Sequence, residues 1–387
     1  MSDRRWTVVT GATGGIGAAV VRALARRGMP VVMACRSAGK AARVREEVLA
    51  EVPGARVKAM ALDLASFASI RAFVAELERS GLRVGALVNN AGAMCKRFER
   101  TDDGLERTLG VNVVGNYLLA RLMAPLLAAG ATGSGTAGLV AARPAGCGPE
   151  EMGREAVPGV AVADRASVPG GMRGPGTDGA GQVRGAVLEA ECGGDGAGVP
   201  GGEAERGRRG PGLRAGCAAT CGRGEVPGMV GEAARPVARA RIVNVVSCTA
   251  RVGRVDIAML RDDGRHYRRM AAYSRSKRAL MILSAELAER LAPAGVSVVA
   301  ADPGVVDTGM ISMQRWYDPL ADLLFRPLIK SPARGAEPVV AALLAPEGMT
   351  GELFRGRRHA PIGSVYAGDP VREELAAEIE RLTGLDA

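Results

Sequence analysis

Aromatic residues are scarce, at 3 % of the 387 residues. A core made from this chain must be mostly Ala, Val, Leu and Ile. A hydrophobic share of 47 % is enough for one large α/β domain or two smaller ones. No uninterrupted apolar run approaches the roughly 20 residues of a membrane span. Met1–Thr10 has no secretory-type apolar stretch and runs directly into a strand pattern. These absences predict a cytoplasmic chain with no membrane span, and Leu320–Ile329 offers at most a peripheral membrane contact. The cysteines, Cys35, Cys95, Cys147, Cys192, Cys217, Cys221 and Cys248, are odd in number and irregularly spaced. Cys217 and Cys221 have no second pair and no His cluster to complete a zinc site. Reduced thiols and no metal are the expectation. Lysine is nearly absent too: only Lys40, Lys58, Lys96, Lys277 and Lys330 occur, and all other basic residues are Arg. The net charge of +10 comes with no aromatic-interleaved basic patch and no zinc-finger spacing, so a nucleic-acid partner is not predicted. A GC-rich coding sequence accounts for the bias.

What is present is an alternation. Trp6–Thr10, Val31–Cys35, Val57–Leu62 and Ala86–Asn89 read as strands. Ile16–Arg27, Ala41–Glu51, Ser66–Ser80 and Leu105–Leu127 read as helices. This is the pattern of βαβ units and a parallel sheet. It stops at about Ala131. From there to Val237 the chain is about a quarter Gly, rich in Pro, Ala, Arg and Glu, with no aromatic residue and no Lys. Neither period persists, and such a segment buries too little apolar surface to offset its ordering entropy. Order resumes with a strand at Arg241–Val246, a helix at Met270–Leu291, a strand at Val296–Ala301 and helices at Pro338–Leu344 and Val371–Leu382. The expectation is one domain, residues 1–130 plus 238–387, interrupted by a low-complexity, disordered insertion at 131–237. The insertion joins the end of a helix to the start of a strand, away from the carboxyl ends where ligands sit. Lengthening such a loop to about 100 residues costs only about 3 kcal/mol.

Thr10-Gly11-Ala12-Thr13-Gly14-Gly15-Ile16-Gly17 lies between the first strand and the first helix. Glycines let the backbone turn tightly and approach a pyrophosphate, and a helix N-terminus offers free N–H groups. The second strand ends at Cys35-Arg36-Ser37, where an NAD site places a carboxylate against the ribose 2′-hydroxyl. No Asp or Glu occurs between Asp3 and Glu46; Arg36, Lys40 and Arg43 occur instead. Arg36 suits a 2′-phosphate, which predicts NADP(H). Asp63-Leu64 and Asn89-Asn90-Ala91-Gly92 end the next two strands and either line a cofactor cleft or form turns. Tyr273 and Lys277, at i and i+4, share one helix face. A cation beside a phenol stabilises phenolate and brings its pKa toward the working range.

Together these residues resemble the short-chain dehydrogenase/reductase family, over about Trp6–Leu127 and Arg241–Asp307 with a weaker tail to Leu385. Thr10, Gly11, Gly15 and Gly17 fit its glycine motif, and residues 89–92 its Asn-Asn-Ala-Gly. Asn112 fits its helix asparagine, Ser247 its catalytic serine, Tyr273 and Lys277 its Tyr-x-x-x-Lys, and Pro303-Gly304 its Pro-Gly. The resemblance implies a Rossmann-type doubly wound parallel sheet. It implies cofactor binding by Thr10, Gly11, Thr13, Gly15, Ile16, Gly17, Arg36, Asp63, Leu64, Asn90, Ala91, Gly92, Tyr273, Lys277, Pro303, Gly304 and Thr308. Tyr273 would exchange the proton at the substrate oxygen, Ser247 would polarise that oxygen, and Lys277 would lower the tyrosine pKa and hold the nicotinamide ribose. Asn112 would help position a relay water. The cofactor would supply the hydride. Ala34–Ser37, the long spacing from Ser247 to Tyr273 and the Arg381–Gly384 ending look like the NADP-dependent retinol dehydrogenase-like branch. A homodimer or homotetramer is implied in the same way.

The function expected is therefore interconversion of a carbonyl and an alcohol on a small lipophilic or aromatic substrate. Arg254–Arg269 would lie near the substrate entrance, with His266 as a solvated loop residue. Reduction of a quinone or a conjugated double bond is a second enzymatic reading. A non-catalytic dinucleotide-binding or scaffold protein is a third, opposed by the intact Ser247–Tyr273–Lys277 set. An inactive product of a faulty gene model is a fourth, because the insertion is foreign to the family and has the composition of translated non-coding sequence.

Overall fold

The computed structural model describes residues 5–132, 240–306 and 330–385. Thr308, Leu320–Ile329 and the predicted insertion beyond residue 132 lie outside the described residues.

Short apolar runs form the strands β1 (Trp6–Thr10), β2 (Val31–Cys35), β3 (Val57–Ala61), β4 (Val84–Asn89), β5 (Ala240–Val245) and β6 (Val296–Ala301), followed by β7 (Glu352–Arg355) and β8 (Arg358–Pro361). Every residue of β2, β4 and β5 is buried, as in strands covered on both faces. At the edge, β3 buries only Val57 and Met60. The order is β3-β2-β1-β4-β5-β6-β7-β8. All neighbouring pairs are parallel except β7–β8. The chain builds outward from β1 to β3, then returns to β4 on the other side of β1. A crevice opens at that reversal, at the carboxyl ends of β1 and β4.

The helices are α1 (Gly15–Ala25), α2 (Ala38–Glu51), α3 (Phe67–Arg79), α4 (Arg107–Leu109), α5 (Asn116–Thr132), α6 (Arg269–Leu291), α7 (Pro332–Leu343), α8 (Ser364–Ala367) and α9 (Arg372–Thr383). Two apolar layers sandwich the sheet. One joins it to α3, α5 and α6 through Phe73, Leu118, Leu119 and Leu283. The other joins it to α1, α2 and α7 through Val20, Leu24, Val48 and Val339.

Helix α5 runs to Thr132, two residues into the predicted insertion. A Cβ on Gly130 would lie 2.1 Å from the Val84 carbonyl, so this end of α5 abuts the amino end of β4. The chain resumes in β5, paired to β4 from Ala86↔Arg241 to Asn89↔Asn244. Elements on both sides of 133–239 thus complete one sheet, and the described residues that flank it lie at the edge opposite the crevice. The run Arg107–Gly130 has the length and mean hydropathy, 1.4, of a membrane span. Arg121 and two asparagines, Asn112 and Asn116, interrupt its apolar run. It packs as a core helix, with 72 % of its most apolar window buried. The hairpin β7–β8 escaped the sequence reading altogether. Each strand has four residues and β8 is mostly exposed, so neither carries a readable period.

Candidate active site

A cleft of about 970 Å³ lies along the carboxyl ends of the sheet, walled by the turns after β1, β2, β4, β5 and β6. One end is built around the glycine turn. Gly11 sits at φ +61°, open only to glycine at low cost, and a Cβ there would meet the Ala91 Cα at 2.9 Å. A Cβ on Gly17 would lie 2.2 Å from the Gly11 carbonyl and 2.6 Å from Asn90 Nδ2. Asn90 Nδ2 donates to the Thr10 carbonyl at 2.9 Å, and Thr10 Oγ1 accepts from the Asn90 and Ala91 N–H groups at 3.0 and 2.9 Å. The Thr10 side chain is thus an internal strut, fully buried. The N-cap of α1 is Gly14, no side chain caps it, and its first turn has no acid. The backbone donors at this helix start keep their capacity for an anion.

Gly17→Ala tests this packing. Its Cβ would meet backbone, which cannot swing aside, so a destabilisation of about 1–3 kcal/mol is expected together with loss of dinucleotide binding. Thermal unfolding and a fluorescence titration measure the two.

Arg36 and Lys40 are exposed and line this end, and Asp63 is the single acid on the cleft wall among the described residues. Asp63 Oδ1 accepts the Ala65 N–H at 2.9 Å. Arg43, grouped with Arg36 in the sequence, instead points outward to Glu47 at 3.2 Å. Burial pushes the Cys35 thiol up to about 11, so it stays protonated beneath the cleft floor. Cys35, Cys95 and Cys248 are free thiols.

The other end holds Ser247, Tyr273 and Lys277. Helix α6 places Tyr273 and Lys277 on one face, with Lys277 Nζ 5.8 Å from the tyrosine ring centroid. Lys277 is 4 % exposed and donates to the Val245 carbonyl at 2.8 Å. Burial draws its pKa down to about 8, opposed by the charge of Asp302. Burial raises the Tyr273 pKa, and a hydrogen bond with Ser247 opposes that rise. Ser247 Oγ also takes the Thr249 N–H and hydroxyl at 3.3 and 3.1 Å.

Asn112 is not on the cleft wall. It is fully buried, in a π-helical stretch, Gly110–Gly115, that joins α4 to α5. Such single-turn bulges recur at functional sites. Its Oδ1 accepts the Ala93 N–H at 2.6 Å, and its Nδ2 donates to the Ala93 carbonyl at 2.9 Å and to Ser276 Oγ at 2.8 Å. A Cβ on Gly92 would sit 3.3 Å from Asn112 Oδ1 and 3.6 Å from Lys277 Nζ. Glycine keeps open the point between them.

Of the predicted site residues in the described region, all but Asn112 border the cleft. Sequence reasoning missed Ser276, which holds Asn112, and Asp302. It also missed Lys96 and Arg107 on the cleft wall, while Arg269, the last residue of the segment expected near the substrate entrance, borders the cleft. Arg269 lies four residues before Tyr273, so the helical period that paired Tyr273 with Lys277 carried the signal. His266 is exposed and does not border the cleft.

The short chain dehydrogenase family model matches residues 5–136 and 229–317. The chain belongs to the short-chain dehydrogenase family. It is an oxidoreductase, and its cofactor is a nicotinamide dinucleotide. Polyprenol dehydrogenase of Mus musculus is 31 % identical, covering 98 % of this chain and 84 % of that protein. Retinol dehydrogenase 13 of Homo sapiens is 26 % identical, covering 98 % and 85 %. The relatives place this dehydrogenase in the retinol dehydrogenase-like branch, as its motifs predicted. A solved structure of an uncharacterised protein from Mycobacterium paratuberculosis shares the fold, with TM-score 0.54, 21 % identity and coverage of 98 % and 93 %. The cleft of this dehydrogenase fits a dinucleotide: an uncapped helix start, a cradle closed to any Cβ, and cations at the adenosine end.

Proposed function

We propose that this dehydrogenase interconverts a carbonyl and an alcohol on a small lipophilic substrate, using NADP(H), with Tyr273, Ser247 and Lys277 as the reacting set. The observation that carries the reading is the buried Lys277, its Nζ 5.8 Å from the Tyr273 ring centroid, with Tyr273 and Ser247 bordering the same cleft. Tyr273 would exchange the proton at the substrate oxygen. Ser247 would donate a hydrogen bond to the same oxygen. Lys277 would favour phenolate and bind the nicotinamide ribose. The opening at Gly92, between Asn112 Oδ1 and Lys277 Nζ, suits a water that passes protons from Lys277 outward. When bound, the cofactor supplies the hydride. Apolar rim residues support a lipophilic substrate: Met270 and Val305 border the cleft and are about half exposed, at 55 % and 48 %. The names of the polyprenol and retinol dehydrogenase relatives support the same class. Catalysis is assigned to residues 1–130 and 238–387, with 131–237 dispensable.

NADP(H) rests on Arg36 and Lys40 standing where no carboxylate is present. Removing a charge-assisted hydrogen bond costs about 1.5–3 kcal/mol. Arg36→Ala is therefore expected to weaken NADPH binding about tenfold or more, and to leave NADH binding unchanged. Titration of nucleotide fluorescence measures both. Equal loss for the two nucleotides would remove the 2′-phosphate reading.

A further inference from the structure

Behind the reacting set, off the cleft wall, lies a carboxylate that the proposed reaction does not use. Asp302 follows β6 directly and is 7 % exposed. Its N–H donates to the Phe354 carbonyl at 2.8 Å, which seats it between β6 and β7. Its Oδ1 accepts the Gly304 N–H at 2.9 Å, and its Oδ2 lies 3.6 Å from Arg355 Nε on β7. The preceding residue, Ala301, is the β6 partner of Val245. Val245 is the residue whose carbonyl takes the Lys277 ammonium. Asp302 thus stands one residue beyond the strand pair that anchors Lys277.

A buried ammonium needs a compensating negative charge, because a carbonyl dipole alone replaces little of the lost hydration. Among the described residues, three charged or titratable groups bear on the Tyr273–Lys277 pair. Tyr273 lies on its own helix, Cys248 on the turn after β5, and Asp302 on the turn after β6. Lys330 adds a second cation to that turn, donating to the Pro303 carbonyl at 3.4 Å. Among these only Asp302 is a carboxylate.

We propose that Asp302 is a positioning residue for the Tyr273–Lys277 pair: its buried carboxylate keeps Lys277 in the ammonium form. Arg355, half-exposed at the end of β7, counterbalances Asp302 and so tunes its hold on the lysine. The consequence for turnover rests on the catalytic reading of Tyr273 and Lys277. The hold on the lysine itself does not.

Scarcity of lysine makes this directly measurable. The chain has five, Lys40, Lys58, Lys96, Lys277 and Lys330. With lysine labelled by carbon-13 at Cε, the Lys277 resonance of the full chain is identified by its loss in Lys277→Arg and titrated without cofactor. Asp302→Asn is expected to lower the Lys277 midpoint by about one pH unit or more, the direction of removing an opposite charge. Asp302→Glu should restore most of it. Arg355→Gln should move the midpoint the other way, and its exposed position protects the fold should Asp302→Asn fail to fold. In turnover, the alkaline limb of carbonyl reduction should follow the same order. A structural role confined to the Gly304 turn would change thermal stability and leave the lysine midpoint where it is. An unmoved midpoint in Asp302→Asn, or in Arg355→Gln if Asp302→Asn does not fold, overturns the proposal. Midpoints that move while the rate profile stays fixed would instead sink the catalytic reading of Lys277 and leave the Asp302–Lys277 link standing.

Discussion

Tyr273→Phe is expected to abolish carbonyl reduction, lowering kcat by about 10²–10⁴-fold, the scale of a positioned acid or base, while leaving NADPH binding and thermal stability almost unchanged. The substitution removes one oxygen and keeps the ring. Little packing is lost with it. The direction of the pKa shift adds a second expectation. Burial raises the Tyr273 pKa, so the phenol is protonated and ready to donate at neutral pH. Alcohol oxidation needs phenolate and should rise with pH, with its optimum displaced to the alkaline side. Lys277, drawn down to about 8, loses its charge within that range, so the two groups titrate as a pair and the profile reports both. Ser247→Ala removes a hydrogen bond to the same oxygen and should lower kcat less than Tyr273→Phe does. A steady-state comparison of the three chains at saturating NADPH checks this order. Retention of more than a tenth of the wild-type rate in Tyr273→Phe would mean that the proton comes from elsewhere.

Most of this architecture could be read in advance because it is written in local signals. Strands such as Val31–Cys35 are short apolar runs, and the parallel sheet follows from their alternation with helices. Tyr273 and Lys277 were legible because four residues make one helical turn. What escaped reading depends on distant partners. The π-helical stretch around Asn112 has no composition cue, and its Gly115 is explained only by the Leu64 carbonyl, 2.3 Å from where a Cβ would stand. Asp302 looks in sequence like an ordinary turn former before Pro303. Its seat between β6 and β7 depends on Phe354, more than fifty residues on. Arg241 was read as the polar first residue of a strand, and only the fold brings a helix end to meet it.

That residue carries the largest stability effect expected outside the cleft. Arg241 is 1 % exposed, and no carboxylate pairs with it by a described hydrogen bond or ion pair. Its Nε donates to Ser297 Oγ at 3.0 Å. Its Nη1 donates to the carbonyls of Ala342, Leu343 and Ala345 at 3.0, 3.4 and 2.7 Å, and its Nη2 to that of Pro346 at 2.8 Å. These carbonyls belong to the end of α7 and the turn after it, where the helix leaves acceptors without internal partners and where its dipole favours a cation. Burial works against the charge and draws its pKa down to about 10, which still leaves it protonated at neutral pH. The five hydrogen bonds therefore do not sum to a large net gain. The penalty appears when the guanidinium is removed, because several carbonyls then lie buried with no donor, at about 1–3 kcal/mol each. Arg241→Met, similar in length and apolar, should destabilise the chain by about 3–5 kcal/mol. At about 2–4 °C per kcal/mol for a domain of this size, thermal unfolding should begin roughly 10 °C lower. Arg241→Lys should fall between, since one ammonium cannot reach acceptors spread over five residues. Because α7 packs on α1, and β5 leads to Ser247, the loss should appear as a smaller folded fraction with unchanged turnover per folded molecule. A shift of less than about 2 °C in Arg241→Met, under 1 kcal/mol on the same scale, would show that water or a relaxed turn satisfies these carbonyls without the arginine.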